Sequence, residues 1–210
     1  TDVVSCDAKS EDRFDLLTHQ KIVKYYLNIF TPYRGLLLYH GLGTGKTCAS
    51  IAIAEGLKTY RKVLIMTPAS LRMNYIEELK KCGDPLYKRD QHWEFISTVT
   101  QNEYLPLLKS EIGLNDDYIK KNKGGWLVNP KKPSNYQTLS TQEKMSLDKQ
   151  INDMIGQKYD FINYNGINKR QYDNYSSEGK VNPFDNRIII IDEAHNLVSR
   201  IVNKLKMGPA

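Results

Sequence analysis

Between Leu36 and Leu57 the chain reads LLLYHGLGTGKTCASIAIAEGL: an apolar run, a turn rich in glycine, then small and apolar residues at helical spacing. This succession constrains the fold more than any other stretch. The first N–H groups of a helix have no partner inside it, and a glycine-rich turn lets them converge on an anion, above all on phosphate. The pattern G-x-x-x-x-G-K-[ST] is met at Gly45, Lys46 and Thr47 and departs from glycine at its first position, His40. Gly41, Gly43 and Gly45 still supply the backbone freedom, so the variant is tolerated. His40 itself reads as a strand-end residue held by packing. The backbone of Gly41, Gly43, Thr44, Gly45 and Cys48 would then wrap the phosphates of ATP. Lys46 would lie against the β- and γ-phosphates, and the Thr47 hydroxyl would face Mg²⁺.

Around this loop strands alternate with helices. LLLYH reads as a short buried strand, KTCASIAIAEGLKTYR as a helix, KVLIMTP as a second buried strand and SLRMNYIEELKK as a second helix. Upstream, Phe14, Leu17, Ile22, Tyr25, Tyr26 and Ile29 recur at helical spacing before TPYRG breaks the pattern. HWEFISTVT has strand character, residues 109–137 are polar, basic and rich in turns, and Ser140 or Thr141 with Glu143 signals a helix start. The segment from about 85 to 158 reads as an irregular or helical insertion. YDFINYNGI and NRIIIIDEAHNL return to strands, the latter the clearest buried strand in the chain. The class expected is α/β with a parallel sheet.

A phosphate loop needs a carboxylate nearby to hold its metal. Four isoleucines deliver Asp192 and Glu193 to a strand's C-terminal edge, where open α/β sheets bind ligands. Asp192 would hold Mg²⁺ and Glu193 would orient and deprotonate an attacking water.

Composition excludes little. With 30 basic and 24 acidic residues the net charge is +6, which permits a polyanionic partner without requiring one. No apolar run is long enough to span a bilayer. Cys6, Cys48 and Cys82 are scattered and form no C-x-x-C pair, which argues against a disulfide framework or a zinc site and for a reducing, intracellular compartment. Lys120, Lys121, Lys123, Lys131 and Lys132, interleaved with Trp126 and Tyr136, have the look of a nucleic-acid surface, but the plainer reading is a solvated face.

Taken together, HGLGTGKT and DEAH resemble motifs I and II of the first motor domain of superfamily 2 helicases and translocases, in the form found in helicase-like ATPases of large nucleo-cytoplasmic DNA viruses. That resemblance implies a RecA-like three-layer domain over residues 1–210. It implies that Gln20, in LTHQKIVKYYL, reads adenine, and that His195 couples nucleotide state to nucleic-acid binding. VLIMTPASLRMNYIEELKK resembles motif Ia and FINYNGIN motif Ib. Pro68, Ser70 and Arg72, with Tyr164, would then contact nucleic acid, DNA more than RNA. An ordinary strand–turn–helix connection capped by Ser70 stays open beside that reading. In this family ATP sits between two motor domains, so a second domain of the same protein is the implied partner, and the isolated chain should turn over ATP weakly or not at all. Viral transcription machinery is a further implied partner, and the virion or the host-cell cytoplasm the implied location, with no membrane. A nucleotide-gated subunit of a transcription complex, without unwinding, is the alternative.

Overall fold

A computed structural model of the chain describes residues 17–27, 30–39, 41, 43–58, 61–100, 102–165, 167 and 169–206. Phe14, Ile29, His40 and Cys6 lie outside the described residues. In chain order the elements are α1 (Thr18–Tyr26), α2 (Lys46–Leu57), β1 (Lys62–Thr67), α3 (Arg72–Cys82), β2 (Trp93–Ser97), α4 (Leu105–Ser110), α5 (Asp116–Asn122), β3 (Gly124–Val128), α6 (Thr141–Lys158), β4 (Tyr159–Asn163), α7 (Lys169–Tyr175), β5 (Arg187–Ile191) and α8 (Ala194–Lys206).

The fold is α/β. A parallel sheet has the order β4-β1-β5, with β1 central, Ile65 beside both Phe161 and Ile190. Helices cover both its faces, which is why VLIMT is buried without alternation. β5 departs from expectation. It borders β1 on one side, and Ile189 and Ile191 remain 40% and 42% exposed. The apolar run ahead of the glycine loop departs further. Residues 33–39 form no strand, and Leu37 and Tyr39 are exposed. Apolar character alone does not make a strand; its N–H and C=O groups also need a neighbouring ladder.

The segment from 85 to 158 is ordered throughout its described residues. β2 and β3 pair antiparallel, Trp93 beside Val128 and Ser97 beside Gly124, with α4, α5 and α6 around them. α6 begins as its sequence indicates. Ser140 accepts from the Glu143 N–H, and the Glu143 carboxylate accepts from the Ser140 N–H at 2.8 Å, a reciprocal cap. The core runs without a break from Ile51 and Ile65 of the parallel-sheet layer through Leu79 to Trp93, Trp126 and Ile151 of the insertion. Trp126 belongs to that core at 4% exposure, its indole N–H on the Ser146 hydroxyl at 3.2 Å, so it is no stacking platform for a base. Lys132 pairs with Glu94 at 2.7 Å. Outside, Arg89 reaches Glu77 of α3 at 2.9 Å and Asp148 of α6 at 2.6 Å, pinning the insertion to the frame.

One expectation fails outright. Cys48 of α2 and Cys82 of α3 are joined as a disulfide, 34 residues apart. Their spacing hides the pairing because it is made by α2 and α3 packing side by side, each turning a buried face to the other.

Candidate nucleotide and nucleic-acid sites

The glycine loop ends where α2 begins. Gly45 caps the helix at φ 73° and Gly43 sits at φ 76°, the left-handed region where a Cβ is strained. Thr44 and Lys46 fold back over the loop, the Thr44 hydroxyl and the Lys46 ammonium donating to the Gly41 carbonyl at 2.9 and 3.1 Å. Thr47 is half-buried in the first turn. The Cys48 side chain faces the core and Cys82, leaving only its backbone to the loop.

Gln20, expected to read adenine, lies against the end of the phosphate loop. It is 2% exposed, its amide oxygen accepts from the Leu17 N–H at 2.9 Å, and its amide nitrogen donates to the Gly45 carbonyl at 3.0 Å. Both ends of the amide are engaged, so in this arrangement Gln20 braces the phosphate loop from beneath.

β5 carries the acidic pair to the same edge. The Asp192 N–H donates to the Met66 carbonyl at 2.9 Å, prolonging the β1–β5 ladder by one bond beyond the strand. Burial pushes the Asp192 carboxyl above its usual range and the Glu193 charge adds to that, while the Glu193 N–H and the Lys46 ammonium oppose it. The half-buried Asp192 carboxyl, at the end of β5, and the Thr47 hydroxyl, in the first turn of α2, are oxygen donors of the kind a hard divalent cation takes, so the residue types fit Mg²⁺. Glu193 stands at φ 50°, and its carboxylate lies 3.3 Å from Nδ1 of the exposed His195.

The positions expected to meet nucleic acid divide. Pro68 and Ser70 line a groove of about 430 Å³ with Asn165 and with Asn196, Ser199, Arg200 and Asn203 of α8. Ser70 caps nothing: it lies in a 3-10 turn, Ala69–Leu71, and Leu71 stands at the N-cap of α3 without a side-chain bond. Arg72 faces elsewhere, its guanidinium 5.3 Å over the Phe161 ring in a second cavity of about 660 Å³ between α3, α6 and β4. Tyr164 is 4% exposed, with its hydroxyl turned to the backbone of Asp192 and Glu193, so its side chain is not on the groove surface. The α8 residues were not among the expected contacts. Their one sequence signal is the i, i+3, i+4, i+7 spacing of Asn196, Ser199, Arg200 and Asn203, which sets four polar side chains on one helix face.

The sequence pattern of the family described as "Type III restriction enzyme, res subunit" matches residues 14–207. R563 of Acanthamoeba polyphaga mimivirus, provisionally named an ATP-dependent RNA helicase, is 30% identical over 190 residues, 89% of this chain and 25% of that protein. L377 of the same virus, of like name, is 26% identical over 91% of this chain and 16% of its own length. A termination factor NPH-I homolog of African swine fever virus is 30% identical over 93 residues, 39% of this chain and 13% of that protein. The chain therefore spans a quarter or less of these relatives. No solved structure matches it at a significant level.

Proposed function

The chain belongs to the family of the type III restriction enzyme res subunit, and from that premise we propose that it is the ATP-binding half of a motor that hydrolyses ATP to move on nucleic acid. The observation that carries this reading is the meeting of two sequence-distant motifs at one sheet edge. α2, which begins at Lys46, packs against β5, and the Asp192 N–H extends the β1–β5 ladder at its C-terminal end.

The chain's own groups divide the work. The α2 N-terminus and the loop N–H groups bind the phosphates, and Lys46 leaves the Gly41 carbonyl to meet the γ-phosphate as charge grows there. Thr47 and Asp192 hold Mg²⁺, which when bound neutralises charge on the phosphate oxygens. Glu193 takes the proton of the attacking water, and His195, in contact with that carboxylate, reports its state to the nucleic-acid side. Gln20 keeps Gly45 at the height the phosphates need. With a second motor domain required to complete the site, the 210-residue chain alone binds nucleotide and turns it over slowly.

The polar groove beside Pro68 and Ser70 supports a backbone-reading track, since its hydroxyl, amide and guanidinium groups suit phosphates and carry no base preference. DNA is the expected track; R563 and L377 carry the name of RNA helicases, so both must be tried. A place in viral transcription is supported by the name of the termination factor homolog alone. The test is the ATPase rate of the full-length protein with single- and double-stranded DNA and RNA. Stimulation by one of them, abolished by Lys46→Ala and by Glu193→Gln, is the result expected. Rates indifferent to every nucleic acid sink the motor reading and favour a nucleotide-gated subunit.

A further inference from the structure

We propose that Tyr164 is a positioning residue for Glu193 and that Arg200 locks it there, so that the two form a clasp between the groove and the hydrolytic carboxylate. The inference deepens the function proposed above and rests on it for the role of Glu193.

The clasp follows from the register of the sheet. β4 and β5 lie on opposite sides of β1, with Asn163 opposite Thr67 and Ile191 opposite Met66. Tyr164 therefore leaves β4 one residue beyond the ladder, level with the end of β1, and two strand spacings of roughly 5 Å each separate it from β5. Its ring crosses that gap over Met66 and Leu64, packed with Ile162 and against Leu197 of α8. At the far side its hydroxyl meets the carbonyls of Asp192 at 3.0 Å and Glu193 at 3.1 Å, one proton shared by two acceptors.

Those carbonyls belong to the turn that aims the carboxylate. Glu193 holds a left-handed backbone, φ 50°, which a glutamate adopts only where neighbours impose it. Its carbonyl accepts from the Tyr164 hydroxyl and from the Asn196 N–H, at 2.9 Å, that starts α8. From the other end of the same helix turn, Arg200 donates back to the carbonyls of Tyr164 at 3.2 Å and Asn165 at 2.5 Å. The circuit closes: β4 end to β5 end through a phenol, and α8 to β4 end through a guanidinium. Asn165 and Arg200 also form the groove wall with Ser70. A phosphate seated there competes for the Arg200 guanidinium, loosens or resets the Tyr164–Asn165 backbone, and so shifts the Tyr164 hydroxyl that holds the Glu193 turn.

The full-length protein carrying Tyr164→Phe tests this, because phenylalanine keeps the ring in its apolar cluster and removes only the hydroxyl. The expected result is a kcat for ATP hydrolysis lowered roughly tenfold, the size usual for groups that orient a reacting ligand. The KM for ATP, the affinity for nucleic acid and the stoichiometry of a fluorescent ADP analogue stay within twofold of wild type. Loss of stoichiometry in proportion to kcat would mean a folding defect and overturn the positioning role. So would an unchanged kcat. Arg200→Ala, an exposed position, supplies the second arm: combined with Tyr164→Phe it should lower kcat no further than the larger single effect, and independent effects overturn the clasp. Should wild type hydrolyse ATP without response to any nucleic acid, the motor reading fails while the same comparison on unstimulated kcat still decides the role of Tyr164.

Discussion

Gln150 completes the free side of β3 by serving Trp126 twice, accepting from its N–H at 2.7 Å and donating to its carbonyl at 2.8 Å. In an antiparallel ladder alternate residues turn both backbone groups away from the partner strand. Trp126, paired with Phe95 across β2, is such a residue, and a third strand would ordinarily satisfy it. Here one fully buried amide of α6 takes the strand's place. Gln150→Leu keeps the volume and leaves two buried backbone groups unpaired. We expect a loss of about 2–5 kcal/mol, read as a lower urea midpoint. A midpoint equal to wild type would mean that water or a repacked neighbour replaces the amide.

The Cys48–Cys82 bond ties the helix of the phosphate loop to α3. Closing a loop of that length restricts the unfolded chain by about 3–4 kcal/mol. Reductant should therefore lower the melting temperature by roughly 6–16 °C, and Cys82→Ser should do the same while abolishing the effect of reductant. A melting curve indifferent to both would show that the sulfurs contribute nothing beyond packing.

Gly45→Ala addresses the brace under the loop. A Cβ there would lie 2.4 Å from Nε2 of Gln20, on a backbone at φ 73° that already disfavours one. Affinity for an ATP analogue should fall at least tenfold, about 1.4 kcal/mol, with the melting temperature of the unliganded chain changed far less. Gln20→Ala relieves the clash in the double variant but not the strain, so it should restore binding only in part. Full recovery would place the whole cost in the clash.

The Arg89 network predicts a pH dependence. Burial works to raise the Glu77 carboxyl, yet the Lys80 ammonium and the Arg89 guanidinium outweigh it and hold the group below its usual range. A carboxylate depressed in the folded state stabilises fully above its unfolded pKa, about 4.3, and that contribution is lost as pH falls through the folded value. Urea midpoints between roughly pH 3 and 6 should thus drop at the acid end, and Glu77→Gln should flatten that drop while lowering the plateau. An identical acid limb in the variant would assign the drop to other carboxylates.

The cap of α6 is a smaller and cleaner case. Ser140→Ala removes the acceptor for the Glu143 N–H and the first half of the reciprocal pair. The cost should be about 1 kcal/mol, with nucleotide affinity unchanged. A variant as stable as wild type would mean that water caps this exposed turn equally well.

Local chemistry was legible from the residues alone. The glycine loop and Lys46-Thr47, the apolar strands that become β1 and β4, the Ser140–Glu143 cap and the strand bearing Asp192 and Glu193 all rest on periodicity, on backbone freedom or on groups within one helical turn of each other. Short-range physics of that kind is written in consecutive residues. Tertiary packing decided what spacing cannot encode. Cys48 meets Cys82 because two helices lie side by side, and Gln20 turns inward because Gly45 offers a carbonyl 25 positions away. Trp126 is core because Gln150 and Ser146 lie over it. Tyr164 faces inward because the sheet order puts β5 within reach of a phenol, which no reading of FINYNGIN contains. Residues 36–39 show the converse: apolar enough for a strand, they form none, since a ladder requires a second strand alongside and a run of residues read alone does not supply it.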